Sequence, residues 1–304
     1  VSRAFTPRRI DGLEPHIREL CAQLLDPHVG GDGFDFVQDF GAQLPSMVIS
    51  ELLGVPDDRR EDVRHAIDDT FHIEPGVGMI NDFSLRARIR LWEHLRAIIE
   101  DRIAHPRDDM ISDLVRAERT EPDGTKRRLT IEECDAFVNL LVSAGTETVA
   151  RLLGWSAVLL DQHPDQRSEL AADPSLLPNA VEELLRFEAP SPVQGRWTMR
   201  DVELHGEVVP KDSRVLLLTG SAGRDERKYG DDAGRFDIHR HFDHHVSFGY
   251  GIHFCIGAAL ARMEGRIALE EVLKRFPDWQ VDHDASVRLH TSTVRGWVNV
   301  PVSV

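Results

Sequence analysis

Cysteine is scarce in this sequence: three occur in 304 residues, at Cys21, Cys134 and Cys255. They lie far apart and form no C-x-x-C pair, so the sequence predicts neither a disulfide framework nor a zinc knuckle. A reducing cytoplasm is the compartment that best fits this usage of cysteine.

Long apolar runs and an excess of positive charge are also lacking. No stretch approaches the ~20 apolar residues that cross a bilayer, and no signal peptide comes before the first helical pattern. Lys and Arg number 36 against 52 Asp and Glu, a formal charge of −16, which repels nucleic-acid phosphates and anionic membranes. We therefore expect no nucleic-acid or membrane partner. The sequence opens on Val1 rather than methionine, which suggests a start partway through a longer protein.

Apolar spacing predicts helices over most of the chain. Apolar residues recur with helical periodicity over 10–24 and again through the first third. Thr130 and Glu133 form a capping box, and nothing stops the helix that follows before Pro164. This pattern predicts one helix of roughly thirty residues.

Strand patterns appear only late in the sequence. Alternating and β-branched residues predict two or three strands over 196–220, and the tail over 287–304 has the pattern of a hairpin. No repeat, low-complexity linker or change of composition divides the chain. We therefore expect residues 1–304 to form a single domain, mainly α with small β-sheets.

The stretch FGYGIHFCIG, residues 248–257, surrounds one cysteine with three glycines. Gly249, Gly251 and Gly257 allow positive φ and a close approach of the backbone to a bulky group. Cys255 comes directly before a predicted helix, whose free N–H groups and positive dipole end favour a thiolate. A flat ligand against this loop is the expected reason for the glycines.

Several interpretations of Cys255 compete. A free cysteine is most often simply buried, while a nucleophile needs a base, for which only His253 is near in sequence. A phosphate-binding G-x-G-x-x-G loop is excluded because Phe254 stands at the third glycine position. A solitary thiolate in an apolar loop suits haem iron, because the porphyrin supplies the other four donors.

A cluster of histidines offers a rival metal site. His239, His241, His244 and His245 lie together in HRHFDHHV and have the donor type that zinc or nickel takes. No carboxylate or cysteine completes this set in the sequence.

The spacing of Phe248, Gly251, Cys255 and Gly257 resembles the signature of the cytochrome P450 family. The resemblance implies that Cys255 ligates the iron of haem b, that Phe248 packs beside the sulfur, and that His253 points to a haem propionate. The runs GWSAVLLDQHPDQ, EELLRFEAPSPVQGR and CIGAALARMEGRIAL are similar to those of soluble bacterial members.

The long helix carries a second similarity. An apolar stripe along it is interrupted by Thr148, and Ala144 and Gly145 thin the helix where a large ligand could press against its backbone. The segment AGTET resembles the oxygen-activating segment of the family. That resemblance implies that Thr148 holds the hydrogen-bond network around dioxygen and that Glu147, at the edge of the stripe, feeds in protons from solvent. A threonine bonded to the carbonyl one turn back is the structural alternative.

Further roles follow from the same resemblance. Glu183 and Arg186 lie off the apolar stripe of their helix, which by itself predicts an exposed pair. In the family such a pair is structural and meets a third charge, for which we take Arg235, with Arg224 and Arg240 as the alternatives near by in sequence. Arg196, at the start of a strand, would neutralise a propionate.

Substrate contacts are expected from two places in the chain. The candidates are Leu140 and Leu141 on the long helix, with Val193 and Gln194 just before Arg196. An apolar, mobile roof is expected over residues 72–84.

The resemblance implies a haem-dependent monooxygenase that inserts one atom of dioxygen into a small apolar substrate. Electrons would come from NAD(P)H through a ferredoxin or flavodoxin-type partner, for which Arg262 and Arg266 are candidate contacts. Family members normally carry an N-terminal sheet, a lid and a propionate-binding helix before the point where this sequence begins. The alternative function is therefore a truncated, catalytically incomplete haem-binding remnant or interaction module.

Overall fold

Helices make up most of the structure, a computed structural model that describes residues 10–289, 291 and 293–304. In chain order the α-helices of these residues are α1 (Glu14–Leu25), α2 (Gln43–Leu53), α3 (Asp57–Thr70), α4 (Asp82–Ala104), α5 (Met110–Arg116), α6 (Ile131–Gln162), α7 (Pro164–Ala172), α8 (Leu177–Phe187), α9 (Thr219–Ala222), α10 (Glu226–Tyr229) and α11 (Ala258–Arg275). Tighter or wider helical turns lie at Asp26–His28, Phe36–Gly41, Pro174–Leu176 and Gly251–His253. The mainly helical fold expected from the sequence is confirmed.

The strands are short and pair in antiparallel fashion. They are β1 (Gly33–Asp35), β2 (Glu118–Thr120), β3 (Lys126–Arg128), β4 (Gln194–Trp197), β5 (Val202–Leu204), β6 (Glu207–Val209), β7 (Arg214–Leu217), β8 (Gln280–Val281), β9 (Val287–Arg288), β10 (Trp297–Asn299) and β11 (Pro301–Ser303). One sheet has the order β1-β11-β8, with Phe34 opposite Val302, and the other pairs are β2/β3, β4/β7, β5/β6 and β9/β10. The segment 196–220, expected to hold two or three strands, contains or overlaps four. The predicted tail hairpin is β9/β10, whereas β11 leaves it to join β1.

The predicted long helix is α6, which has 32 residues and is therefore about 48 Å long. Thr130 accepts a hydrogen bond from the backbone N–H of Glu133, and the Glu133 side chain accepts one from the Thr130 N–H, so the capping box is present. Among the described helices α6 is the one long and apolar enough to cross a bilayer, but 56% of that apolar segment is buried within the protein. Its apolar character is accounted for by its place in the core.

Two apolar cores meet along α6. Val138, Leu141 and Val142 pack with residues of α2 to α5, whereas Val149 and the residues after it pack with α1, α8, α11 and the β1-β11-β8 sheet. Neither core includes residues 143–148 of α6. The interruption between the cores therefore coincides with the AGTET segment.

Gly145 brings α2 and α6 close together. A Cβ at this position would lie 2.8 Å from Cγ1 and 3.2 Å from Cβ of Ile49, nearer than carbon atoms normally pack. The structure thus corrects the expectation that Gly145 makes room for a cofactor, because Ile49 of α2 occupies that side of the helix.

This close contact predicts the effect of Gly145→Ala. Alanine is the better helix former by about 1 kcal/mol, but overpacking against Ile49 typically costs about 1–3 kcal/mol, so we expect a lower free energy of unfolding. Denaturant unfolding of Gly145→Ala, Ile49→Ala and the double variant measures this. The double variant should lose less free energy of unfolding than the sum of the losses in the two single variants. A Gly145→Ala protein more stable than wild type would contradict the prediction.

Candidate active site

The cysteine loop is a closed turn that leads into α11. Gly249 and Gly251 have φ of +73° and +67°, a region that glycine adopts without strain. The Cys255 N–H donates to the Phe248 carbonyl at 2.8 Å, and the Phe254 N–H donates to the Gly251 carbonyl at 3.0 Å. The backbone itself therefore requires two of the glycines, and these bonds hold Cys255 three residues before the first residue of α11.

The charge state of Cys255 is set by opposing effects. Its side chain is exposed, yet partial desolvation by the surrounding loop raises the pKa of the thiol, which outweighs the lowering by the Gly257 N–H and by the positive charge of Arg262. The N–H groups at the start of the helix favour a thiolate, as expected, but in the free thiol desolvation outweighs them. A bound metal cation removes the proton of a coordinating thiol, so the sulfur fits a metal ligand better than a free nucleophile. His253 is not among the groups that shift this pKa.

The surroundings of Cys255 fit a flat apolar group with acidic substituents. Ile252, Tyr250 and Phe254 are exposed at 98%, 82% and 51%, which is unusual for apolar side chains of this size unless they meet a ligand or partner. His253 is also exposed. Phe248 is buried, with the Arg262 guanidinium 4.5 Å from its ring centre.

Arg196 is available for an anionic group. It lies on β4, is exposed, and donates from Nη1 to the Gly195 carbonyl at 2.7 Å. Within the described residues its side chain has no ion pair with a carboxylate at or below 4.0 Å, unlike most arginines of this chain. A haem propionate is an anion of the type it would neutralise.

The middle of α6 presents one accessible face. Leu140 is 60% exposed, Ala144 is exposed and Thr148 is half-buried, each one turn after the last. The Thr148 hydroxyl donates to the Ala144 carbonyl at 2.8 Å, which is the structural alternative considered from the sequence. Leu141 is 5% exposed and belongs to a core cluster, so its predicted substrate contact is contradicted.

Packing between α6 and α11 joins this face to the cysteine loop. A Cβ at Gly265 of α11 would lie 3.1 Å from Cδ2 of Leu152, and Leu152 lies one turn after Thr148 on the same face. Because α11 directly follows the cysteine loop, this packing places α6 beside the helix that begins after Cys255.

Glu147 is buried rather than at the edge of an exposed stripe. It is 2% exposed, and its Oε2 accepts from Arg151 Nη2 at 2.7 Å and Nε at 3.2 Å. Arg151 Nη1 in turn donates to the Trp297 carbonyl at 2.6 Å. Glu147 is therefore not at an exposed edge of the helix, and its expected role in feeding protons from solvent stays a prediction. Desolvation and the negative charge of Glu147 raise the pKa of Asp68, an acid of α3 that the sequence did not indicate, to about 7.

Glu183 and Arg186 form a fully buried ion pair. Both side chains are 0% exposed, with two N···O distances of 2.6 Å, so the exposed pair indicated by helical periodicity is not what the structure has. Arg186 also donates to the carbonyls of Gly223, Ala233 and Arg235 at 2.6, 2.8 and 3.0 Å. All five N–H groups of the guanidinium are thus used.

The third charge beside this pair is Arg240, which corrects the choice of Arg235. Arg240 Nε lies 3.5 Å from Oε1 of Glu183, and its Nη1 is 2.9 Å from Asp232 Oδ1. Arg235 contributes only its backbone carbonyl to Arg186, and its own side chain is exposed. Both residues lie in the same irregular stretch, DDAGRFDIHR, so no spacing rule distinguishes them.

Carboxylates already pair with the two arginines proposed for an electron donor. Arg262 Nε lies 2.6 Å from Glu182 Oε1, and Arg266 Nη2 lies 2.7 Å from Glu14 Oε2. Burial alone would raise the pKa of Glu182, but Arg262 and His245 lower it to about 2. A partner that uses these arginines has to share them with Glu182 and Glu14.

The histidine cluster does not assemble a metal site. No three His, Cys, Asp or Glu side chains are grouped to hold a metal ion within the residues that the structure describes. His239 instead pairs with Glu169 at 2.7 Å, and His245 is buried with its ring centre 5.6 Å from that of Phe248. The rival metal-binding hypothesis therefore has no structural support.

The remaining substrate candidates lie before β4 or at its start. Val193 is half-buried, and the Gln194 amide donates to the Ser191 hydroxyl at 2.6 Å. Residues 72–81, within the expected roof, form the connection between α3 and α4, with Val77 and Ile80 exposed at 60% and 72%.

Comparisons with known proteins agree with the fold and the loop. A family model described as cytochrome P450 matches residues 171–302. Cytochrome P450 130 of Mycobacterium tuberculosis is 41% identical over 308 residues, which cover 100% of this chain and 74% of that protein. The chain therefore belongs to the cytochrome P450 family, and its relatives include bacterial members.

Solved structures show the same relationship. The cytochrome P450 PksS of the Bacillus subtilis 168 bacillaene polyketide synthase aligns with a TM-score of 0.91 and 34% identity, over 100% of this chain and 76% of that one. A mutant of P450 EryK in complex with erythromycin B also has a TM-score of 0.91, with 37% identity over 100% of this chain and 77% of that one.

The buried pair predicts a large effect of Glu183→Gln on stability. The substitution leaves the Arg186 charge buried without its carboxylate, which typically costs about 3–5 kcal/mol. We expect a corresponding fall in the free energy of unfolding, measured by denaturant unfolding. Glu93→Gln is the control, since Glu93 is exposed on α4 and should change stability by less than about 0.5 kcal/mol. Equal small effects would contradict the structural role.

Proposed function

We propose that this chain is a haem-dependent monooxygenase that inserts one atom of dioxygen into an apolar organic substrate. The observation that carries the proposal is Cys255, a solitary exposed sulfur held by a glycine turn at the start of α11 in a member of the cytochrome P450 family. We extend the proposal to residues 1–304 as one haem-thiolate domain.

Residues from three segments would hold haem b. Cys255 would ligate the iron, with Phe248, Gly251 and Gly257 around the sulfur; a Cβ at Gly257 would lie 3.9 Å from Sγ. His253 and Arg196 would contact propionates, because both side chains are exposed and can donate hydrogen bonds to an anion. Ala144 would face the opposite side of the ring. When bound, the iron supplies the binding and reductive splitting of dioxygen.

The chain's own residues would manage protons and substrate. Thr148 can turn its hydroxyl away from the Ala144 carbonyl and donate towards the accessible face of α6, and Glu147 would hold a proton one residue away. Leu140 and Val193 would contact an apolar substrate, with Gln194 near by. P450 EryK, solved with erythromycin B, shows that a relative binds a large organic molecule.

Electron supply is proposed from the same family relationship. NAD(P)H would deliver electrons through a ferredoxin or flavodoxin-type protein that docks on the thiolate side. The cytoplasm is the proposed location, in keeping with three unpaired cysteines.

Cys255→Ala tests the ligand assignment. We expect wild-type protein, reconstituted with haem and reduced under carbon monoxide, to show the red-shifted absorption band of a thiolate-ligated haem. Cys255→Ala should lose that band, whereas Cys134→Ala, a buried cysteine of α6, should keep it. A band that survives Cys255→Ala would refute the ligand assignment, and a band absent from wild type would favour a catalytically incomplete remnant.

Thr148→Ala tests the proton network. Loss of the hydroxyl should divert electrons from product to peroxide, because protons no longer reach dioxygen in order. Product formed per NAD(P)H consumed should fall about tenfold or more, while Thr148→Ser should retain most of the coupling. Unchanged coupling in Thr148→Ala would count against the role of Thr148.

A further inference from the structure

An open cleft lies between α4 and the first part of α6. The two helices pack together through an apolar cluster that includes Leu91, Leu95 and Val138. The cleft has a volume of about 450 Å³, within the range of sites that hold small organic molecules. Its lining residues are Trp92, Arg96, Glu132, Asp135, Ala136 and Asn139. Ala136 comes twelve residues before Thr148, about 18 Å along the helix axis, so the cleft is apart from the candidate active site.

Asp135 is the buried acid of this cleft. The residue is 4% exposed, and its Oδ2 accepts a hydrogen bond from Arg96 Nη1. Its Oδ1 is also buried, yet it accepts no hydrogen bond within the part of the chain that the structure describes. A buried carboxylate oxygen without a donor is costly. A donor from a bound molecule would therefore stabilise Asp135.

The positive charge of Arg96 does not balance the acids around it. Its Nε lies 3.0 Å from Glu100 Oε1, and its Nη2 lies 4.0 Å from Glu132 Oε1. One guanidinium is thus shared among three carboxylates, since it also binds Asp135. The Glu132 backbone N–H and the Thr130 hydroxyl hold the pKa of the Glu132 carboxyl below its usual value. The cleft therefore has an excess of negative charge, which attracts a cation.

An organic cation fits this cleft better than a metal ion. No three His, Cys, Asp or Glu side chains are grouped to hold a metal among residues 10–289, 291 and 293–304, and Ca²⁺ or Mg²⁺ takes about six oxygen ligands. The cleft offers Asp135 Oδ1, the Glu132 carboxylate and the Asn139 side-chain oxygen as acceptors. The Asn139 amide nitrogen is already used, because it donates to the Asp135 carbonyl at 2.9 Å. A primary ammonium group has three N–H donors, which matches these three acceptors.

The α4 side of the cleft is aromatic and accessible. Trp92 is 45% exposed, and Ile89, nearly one turn before it, is 56% exposed. The Arg96 guanidinium lies 5.6 Å from the centre of the Trp92 ring, and tryptophan is the side chain that attracts cations most strongly through its ring face. Ala136 on the α6 side presents only a methyl group. An apolar or aromatic body beside an ammonium group would cover this exposed apolar surface.

We propose that the cleft between α4 and α6 binds the primary ammonium group of a small organic amine with an apolar or aromatic body. Asp135 Oδ1 is the anionic acceptor, and Trp92 packs against the body of the ligand. The proposal goes beyond the proposed function and does not depend on it, because no residue of the cysteine loop lines the cleft.

Three probes with a phenyl body and different charges test the ligand class. They are 2-phenylethylammonium, 2-phenylethanol and 3-phenylpropionate, titrated into the protein in a calorimeter at neutral pH. The ammonium should bind about tenfold or more tightly than the alcohol, and the carboxylate should bind least. Equal affinities would overturn the proposal, because the cleft would then recognise only the phenyl ring. Absence of ammonium binding would also overturn it, since water alone would then satisfy Asp135 Oδ1.

Asp135→Asn tests the acceptor, because the amide keeps the shape of the side chain and removes its charge. Affinity for 2-phenylethylammonium should fall about tenfold or more. Glu93→Gln is the matched control, since Glu93 follows Trp92 on α4, is exposed and does not line the cleft. Its loss of one exposed, screened charge should change the affinity less than about twofold. Equal losses in the two variants would reveal a general effect of charge and overturn the assignment of Asp135.

Ala136→Leu provides a test that leaves Asp135 and Arg96 unchanged. Leucine is a good helix former and Ala136 is exposed, so the variant should unfold at the same denaturant concentration as wild type. The larger side chain fills the cleft, and affinity for 2-phenylethylammonium should fall about tenfold or more. Wild-type affinity in Ala136→Leu would place the bound amine elsewhere and overturn the proposal, even if Asp135→Asn fails to fold.

The absorption of bound haem separates this site from the candidate active site. An amine that ligates haem iron shifts the absorption bands, whereas an amine in the cleft leaves the iron ligands unchanged. In haem-loaded protein we expect calorimetric binding of 2-phenylethylammonium without a shift of the bands. Binding that always accompanies such a shift would overturn the proposal. Absence of a Cys255-dependent haem spectrum would instead refute the proposed function and leave the amine site standing.

Discussion

The buried pair of Glu183 and Arg186 is the interaction on which the candidate site depends. Arg186 binds carbonyls at Gly223, Ala233 and Arg235, and Glu183 accepts the N–H of Asp237 at 2.9 Å. The segment between α10 and the cysteine loop has few backbone hydrogen bonds of its own, so these contacts replace a regular ladder. An unpaired charge at full burial is costly. The segment therefore cannot leave α8 without exposing the pair to solvent or leaving its N–H groups and carboxylate oxygens without partners. The same helix then holds the loop itself, where the Ser247 hydroxyl donates to the Leu185 carbonyl at 2.6 Å.

A second constraint is the interruption of apolar packing in the middle of α6. Both cores stop at residues 143–148, and the helix continues through the gap on its backbone hydrogen bonds. Around the helix this short segment meets three environments: Ile49 beside Gly145, an accessible face at Ala144 and Thr148, and a set of buried charges at Glu147. One short stretch of helix thereby presents an accessible face at Ala144 and Thr148 and buried charges at Glu147. The chemistry we propose depends on these different environments around a single helix.

Local features were predictable because they depend on neighbours in the sequence. The capping box of Thr130 and Glu133 and the glycine turn before Cys255 were both predicted and are both present. Features that depend on distant residues were not. Helical periodicity placed Glu183 and Arg186 outside the apolar stripe, and it could not show that an irregular segment some forty to fifty residues later buries them. The same limit explains why Arg235 was preferred to Arg240 as the third charge. It also explains why Leu141, which lies in a core, was predicted to contact substrate, and why Asp68 was not predicted.

The sequence by itself determined the family, the mainly helical fold and the identity of the single sulfur at the site, because each follows from short-range spacing of glycine, cysteine and apolar residues. Tertiary structure decided the electrostatics. Desolvation by the surrounding loop raises the pKa of the Cys255 thiol despite its place before a helix, and desolvation together with the negative charge of Glu147 raises the pKa of Asp68. Desolvation and Coulomb interactions act through space over a few ångströms, so they depend on which segments fold together and not on their order along the chain.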